Sequence, residues 1–184
     1  MDQTKIYLDY LREAYKLAMK SKDPSTQNGA LIIKKDNFFN MSDCNVISRA
    51  WNRFPEGVAE TPERMANRKD KYSLIGHAEA NAVHMAAREG RATNGAIMIV
   101  PWYACDRCGV AISEAGIKRV IGYAGSERWW RAHVTEGGGN GATDWYEGIA
   151  YAIEMFDAKG IEHLTVDGPI GGVEVRFRGK LMTP

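Results

Sequence analysis

Residues 95–123, GAIMIVPWYACDRCGVAISEAGIKRVIGY, read as strand, helix and strand in succession. The apolar run GAIMIV (95–100) has the length and content of a fully buried strand, CDRCGVAISEAG (105–116) forms a helix, and IKRVIGY (117–123) forms the next strand. The alternation continues on both sides. Upstream, Ala78, Ala82, Val83, Ala86 and Ala87 mark an alanine-rich helix that ends at Gly90. Downstream, the glycine-rich loop TEGGGNGATD (135–144) precedes a helix from about Asp144 to Ala158 and a strand IEHLTV (161–166).

Nearer the start, Ile6, Leu8, Leu11, Tyr15, Ala18 and Met19 recur at helical intervals. The turn-forming SKDPSTQNG (21–29) stops that helix near Lys20. ALIIKKDNF (30–38) and NVISRAW (45–51) are β-prone runs around a polar break, a two-stranded hairpin. Asn52 to Tyr72 carries Pro55, Pro62, dense charge and no clear period, and reads as a loop long enough to be functional. The resulting fold class is α/β: a three-layer α/β/α sandwich with a central five-stranded mixed sheet. No internal repeat is present, and the length of 184 residues with 45% hydrophobic content fits one domain over 1–184.

The 24 basic residues nearly cancel the 23 acidic ones, so the net charge of +1 does not describe a surface that neutralises many phosphates along a duplex. A small substrate fits better than a polymer. The first twenty residues interleave charge with apolar side chains and form neither a signal peptide nor an anchor, and no later segment reaches membrane-spanning length. Three cysteines, Cys44, Cys105 and Cys108, do not make a disulfide framework and favour a reducing, cytoplasmic compartment.

His77 and Glu79 open the alanine-rich helix, and Cys105 and Cys108 open the next. Cys-x-x-Cys at a helix N-terminus lets two thiolates reach one ion, and the helix dipole favours their ionised form. His77 can supply a third ligand, which leaves a fourth position open for water, as in a catalytic zinc site. Zinc lowers the pKa of such a water to ~7. A carboxylate two positions beyond a ligating histidine, Glu79, can then lean over that water and shuttle its proton. A lone Cys-x-x-Cys is as often a redox pair or half of a structural zinc site, and a lone histidine is usually a packing residue. The conjunction of all four is much rarer. His84, two turns beyond His77, reads as packing, and Cys44, His133 and His163 have no evident partner.

With these residues in place, the chain resembles the deoxycytidylate (dCMP) deaminase family of the cytidine deaminase superfamily, whose zinc signature is H-x-E followed by P-C-x-x-C. Further similar stretches are SKDPSTQNGALI (21–32), WNRFPEGV (51–58), TPERMANRKDKYSLIGHAEANAV (61–83), EAGIKRVIGY (114–123) and MFDAKGIEH (155–163), so the likeness covers about residues 4–166. The tail 167–184 lies outside it. The resemblance implies one catalytic Zn2+ per chain, hydrolysis of dCMP to dUMP and ammonia, a homo-oligomer (hexamer or dimer), and dCTP and dTTP as allosteric effectors. It also implies that Asn52 holds the sugar hydroxyl and that the Ala78 backbone N–H faces the base carbonyl.

Two departures bear on substrate choice. Ala104 stands where the family has proline before the first cysteine, with Pro101 earlier, and Asn28 replaces a small apolar residue at a position expected to face the pocket. Trp102, Tyr103 and Tyr123 offer aromatic faces to a flat base. A monophosphate needs a cationic or N–H-rich patch, for which Ser25, Thr26, Arg49, Arg53 and the run Arg64, Arg68, Lys69, Lys71 are candidates. Trp129 and Trp130 suit a lid or a subunit contact.

Three functions compete: a free-nucleotide deaminase, with dCMP, a 5-substituted dCMP or an aminopurine as substrate; a deaminase of tRNA or single-stranded DNA; and a zinc-stabilised binding module. Near-neutral charge argues against the second, and Glu79, which a structural zinc would not need, against the third.

Overall fold

A computed structural model describes residues 3–35, 45–128 and 142–184. Cys44, Trp129, Trp130, His133 and residues 135–141 of the glycine-rich loop lie outside the described residues. The chain runs α1 (Gln3–Ala18), β1 (Gly29–Ile33), β2 (Val46–Trp51), α2 (Pro62–Ala66), α3 (Arg68–Leu74), α4 (Ala78–Arg88), β3 (Ile97–Ile99), α5 (Asp106–Glu114), β4 (Arg119–Tyr123), α6 (Ala142–Lys159) and β5 (Glu162–Val166). It ends in a hairpin of β6 (Val175–Phe177) and β7 (Lys180–Met182). The five main strands form one sheet in the order β2-β1-β3-β4-β5. β1 pairs antiparallel with β2 and β3, while β3, β4 and β5 run parallel, so the sheet is mixed.

All five residues of β1 are buried because both faces of the sheet are covered. Leu31 and Ile33 face α1, packing with Tyr10, Leu11, Ala14, Tyr15, Ile99 and Ile121. Ala30 and Ile32 face the other way, with Ala78 and Ala82 of α4, Cys108 and Ile112 of α5, and Ala152 and Phe156 of α6. Period-2 alternation thus splits each strand between two cores and creates three layers.

Gly29 lets α1 approach the sheet. A Cβ there would run into the Ala14 carbonyl oxygen and sit 2.7 Å from Ala18 N. These are backbone atoms that cannot turn aside, so Gly29→Ala should cost about 1–3 kcal/mol, read as a lowered melting temperature.

Two features depart from the sequence reading. The loop expected over Asn52 to Tyr72 contains α2 and α3, each too short to show a period. Thr61 caps α2 through a bond from Arg64 N with Pro62 in its first turn, and the Asn67 side chain accepts from Lys69 N and Asp70 N to cap α3. The tail, to which no element was assigned, forms the β6–β7 hairpin.

Candidate metal centre

The strand directions bring the amino end of β1 and the carboxyl ends of β2, β3, β4 and β5 to one edge of the sheet. His77 and Cys105 occupy the N-cap positions of α4 and α5, and neither side chain caps its helix. Their side chains are therefore left to meet each other. His77 Nδ1 lies 3.4 Å from Cys105 Sγ and 3.5 Å from Cys108 Sγ, and the three donor atoms all lie within 4.8 Å of one another. A tetrahedral zinc at ordinary Zn–S and Zn–N lengths spaces nitrogen and sulfur by ~3.6 Å, so the donors fit that ion in type and in spacing. His77, Cys105 and Cys108 are the one such group of three or more metal-binding side chains among the described residues.

The electrostatics follow from burial and proximity. The Cys105 thiol is held down to about 4, first by its hydrogen bond with Cys108 and then by His77. Cys108 is pushed up, first by that same bond and then by burial. His77 is raised to about 9, chiefly by its hydrogen bond with Cys105, against the opposing effect of burial. Glu79, 2% exposed, is raised to about 7 by burial, with His77 pulling the other way. Its Oε2 is buried without a hydrogen-bond partner. A buried carboxylate oxygen left open beside three metal-type donors is costly to keep unless a ligand uses it.

The mouth of α4 is held by backbone and side-chain bonds, one of them from Asn81, which the sequence reading passed over. Arg53 N donates to Gly76 O (3.1 Å) and Gly76 N to Arg53 O (2.9 Å), joining the end of β2 to the residue before His77. Asn81 Nδ2 donates to Trp51 O and Gly76 O, both at 3.0 Å. The signal for Asn81 was its presence inside an alanine-rich helix, where a short polar side chain is out of place unless it is bonded. Ala78 is fully buried in the first turn of α4, where the helix leaves its own N–H groups without acceptors.

The other sequence candidates divide. Asn52 is buried with both amide atoms in use: Nδ2 donates to Thr26 O (2.8 Å) and Oδ1 accepts from Asn28 N (2.8 Å). Asn28 Oδ1 accepts from Gly29 N at 3.0 Å. The Ser25 and Thr26 N–H groups donate to Asp23 Oδ1. Arg53 stacks its guanidinium over Trp51 in an open cleft of about 340 Å3 shared with Lys20, Lys22 and Phe54. Trp102 is buried and stacks on Phe177 at 3.7 Å, and its Nε1 is unpartnered. Tyr103 is half-buried in the loop before Cys105. Tyr123 is not brought to the donors: it packs on the α1 side of the sheet, edge-on to Tyr15, and its hydroxyl donates to Gly168 O at 3.1 Å.

Lys71 is not a surface cation either. Its ammonium lies 2.7 Å from Asp23 Oδ1, with both side chains almost fully buried. Lys71→Met would leave that carboxylate buried and uncompensated, so it should lose about 3–5 kcal/mol of stability in a denaturant titration, with Asp23→Asn added to Lys71→Met recovering part.

Fold and donor set together define an α/β protein of the deaminase class, and comparison with known proteins makes this specific. The chain belongs to the cytidine and deoxycytidylate deaminase zinc-binding family, which it matches over residues 4–124. Deoxycytidylate deaminase from Mus musculus is 32% identical over 117 residues, which is 61% of this chain and 61% of the mouse protein. An uncharacterized deaminase from the luxG 3' region of Aliivibrio fischeri is 30% identical over 142 residues, 77% of this chain and 80% of that one. The dCMP deaminase of cyanophage S-TIM5 shares the fold, with a TM-score of 0.60 at 20% identity over 90% of this chain and 99% of the phage chain. Among the described residues no helix is long and apolar enough to cross a membrane.

Proposed function

We propose that the protein is a zinc-dependent nucleotide deaminase that hydrolyses dCMP to dUMP and ammonia. The observation that carries this reading is the buried Glu79 carboxylate, with one oxygen unpartnered, beside the His77, Cys105 and Cys108 donors. A zinc-stabilised binding module has no use for an acid kept there at such cost. The relationship to deoxycytidylate deaminases supports the choice of dCMP.

His77 Nδ1, Cys105 Sγ and Cys108 Sγ would hold the ion, whose Lewis acidity makes water nucleophilic near neutral pH. Glu79 does the proton work. Its carboxylate takes a proton from the attacking water and passes it to N3 of the ring, which makes C4 electrophilic. It then takes the proton of the hydroxyl added at C4 and carries it to the exocyclic amine, so that the C4–N bond breaks, ammonia leaves and the carbonyl of uracil remains. Burial raises Glu79 to about 7, where accepting and donating a proton are both easy near neutral pH. The N–H of Ala78 faces the base carbonyl, and Asn52 acts on the pocket by tying the Thr26 and Asn28 backbone to the end of β2. A cytoplasmic homo-oligomer, dimer or hexamer, responsive to dCTP and dTTP, completes the reading.

The test is a side-by-side assay of dCMP, deoxycytidine, cytidine and an RNA hairpin. Ammonia should be released from dCMP. Release from the hairpin alone would overturn the free-nucleotide reading.

A further inference from the structure

The β6–β7 hairpin lies beyond the 4–124 span of the family match, yet it reaches the edge of the sheet where the metal-type donors lie. The chain leaves β5 at that edge and crosses to the opening loop before β1. Gln27 N donates to Arg176 O and Arg176 N to Gln27 Oε1, each at 2.9 Å, and Gly179 N donates to Ser25 O at 2.8 Å. Phe177 is buried against Trp102, three residues before Cys105. The hairpin therefore stands between the Ser25–Thr26 segment and the loop that delivers the cysteines.

Its turn is built at a cost. Phe177 pairs with Lys180, so Arg178 and Gly179 form a two-residue loop, with φ of 48° and 79°. Both central residues are left-handed, as a type I′ turn requires, and such turns favour Asn-Gly or Asp-Gly. Arg178 is the one non-glycine residue with positive φ among the described residues. Strain of this kind persists where surrounding contacts impose it, and it concentrates at functional sites. Here the Arg178 N–H is fixed 3.3 Å from Thr26 Oγ1.

The surroundings suit an anion. Thr26 is tied through Asn52 to the end of β2, and the Arg53–Gly76 ladder continues from there to the residue before His77, so the segment that holds Arg178 is bonded stepwise to the entry of α4. The nearby carboxylate, Asp23, is neutralised by Lys71 and by the N–H groups of Ser25 and Thr26. An exposed arginine whose own backbone N–H meets the Thr26 hydroxyl, next to Ser25 and with Asp23 already compensated, carries the chemistry that recognises phosphate.

Building on the nucleotide reading above, we propose that Arg178 recognises the substrate's phosphate and makes the site select nucleoside monophosphates over nucleosides. Arg178→Asn removes the charge while supplying a residue the turn accepts better, so folding is not at stake and the melting temperature should hold or rise. With dCMP the KM should rise roughly tenfold or more at unchanged kcat, the pattern of a lost binding contact, while kcat/KM for deoxycytidine stays within about twofold. Arg176, exposed on the strand between buried Val175 and Phe177, is the control. Arg176→Ala makes the same charge change and should leave KM for dCMP unaltered. An active Arg178→Asn enzyme with unchanged KM for dCMP, or an equal rise in Arg176→Ala, would overturn the assignment. If the unsubstituted protein shows no preference for dCMP over deoxycytidine, the monophosphate reading itself fails, and the assignment with it.

Discussion

Glu79→Gln should abolish turnover of dCMP, by at least ~10²-fold in kcat, while the protein keeps its fold, its zinc and its affinity for substrate. The amide nearly matches the carboxylate in shape, so the buried position at the start of α4 is still filled. It also removes the cost of burying a charge, which already holds the Glu79 acid near 7. What it cannot do is take a proton from water and return it to the ring and the amine. Metal analysis, a dCMP binding isotherm and a single-turnover assay on the same preparation separate these effects. Glu79→Gln turning over at close to the normal rate would mean that another group carries the protons.

Cys105→Ala, Cys108→Ala and His77→Ala should each reduce zinc from about one ion per chain to a small fraction of that, because an open catalytic site has three protein ligands to lose and no fourth to compensate. The two cysteines also hold different protons: Cys105 is the easily ionised thiol and Cys108 the reluctant one. Zinc loading must therefore release at least one proton from this cluster for each ion bound, measurable in weakly buffered titrations of the unsubstituted protein. Full zinc in either cysteine variant would remove these residues from the ligand set. The contrast with Glu79→Gln is direct, since one substitution yields a metal-loaded inactive protein and the others a metal-poor one.

Much of the candidate site was legible because its chemistry sits in short spacings. His77 and Glu79 are two apart and Cys105 and Cys108 three apart, and each pair opens a helix recognisable from its own periodicity. The five strands and the mixed sheet followed from apolar runs bounded by turns. α2 and α3 did not, because a helix of one or two turns has no period to read, although the Thr61-Pro62 and Asn67 caps were there to be seen.

What only the tertiary structure decided concerns faces and distant partners. Tyr123 belongs to the strand beside the site, but on the face that Ile121 shares, so it turns toward α1, while Val120 turns toward α4 and α5. The sequence alone determined the alternation along β4; which set faces which layer depends on how the sheet is covered. Lys71, read as one cation in a basic run, is drawn into a buried pair with Asp23, 48 positions earlier. The hairpin meets Gln27 across 149 positions and places Arg178 beside Thr26 across 152. Local spacing fixes what a helix or strand presents, since its geometry repeats within a few residues. Contacts between segments this far apart form only once the sheet has set the order of its strands, and no short stretch of the chain encodes them.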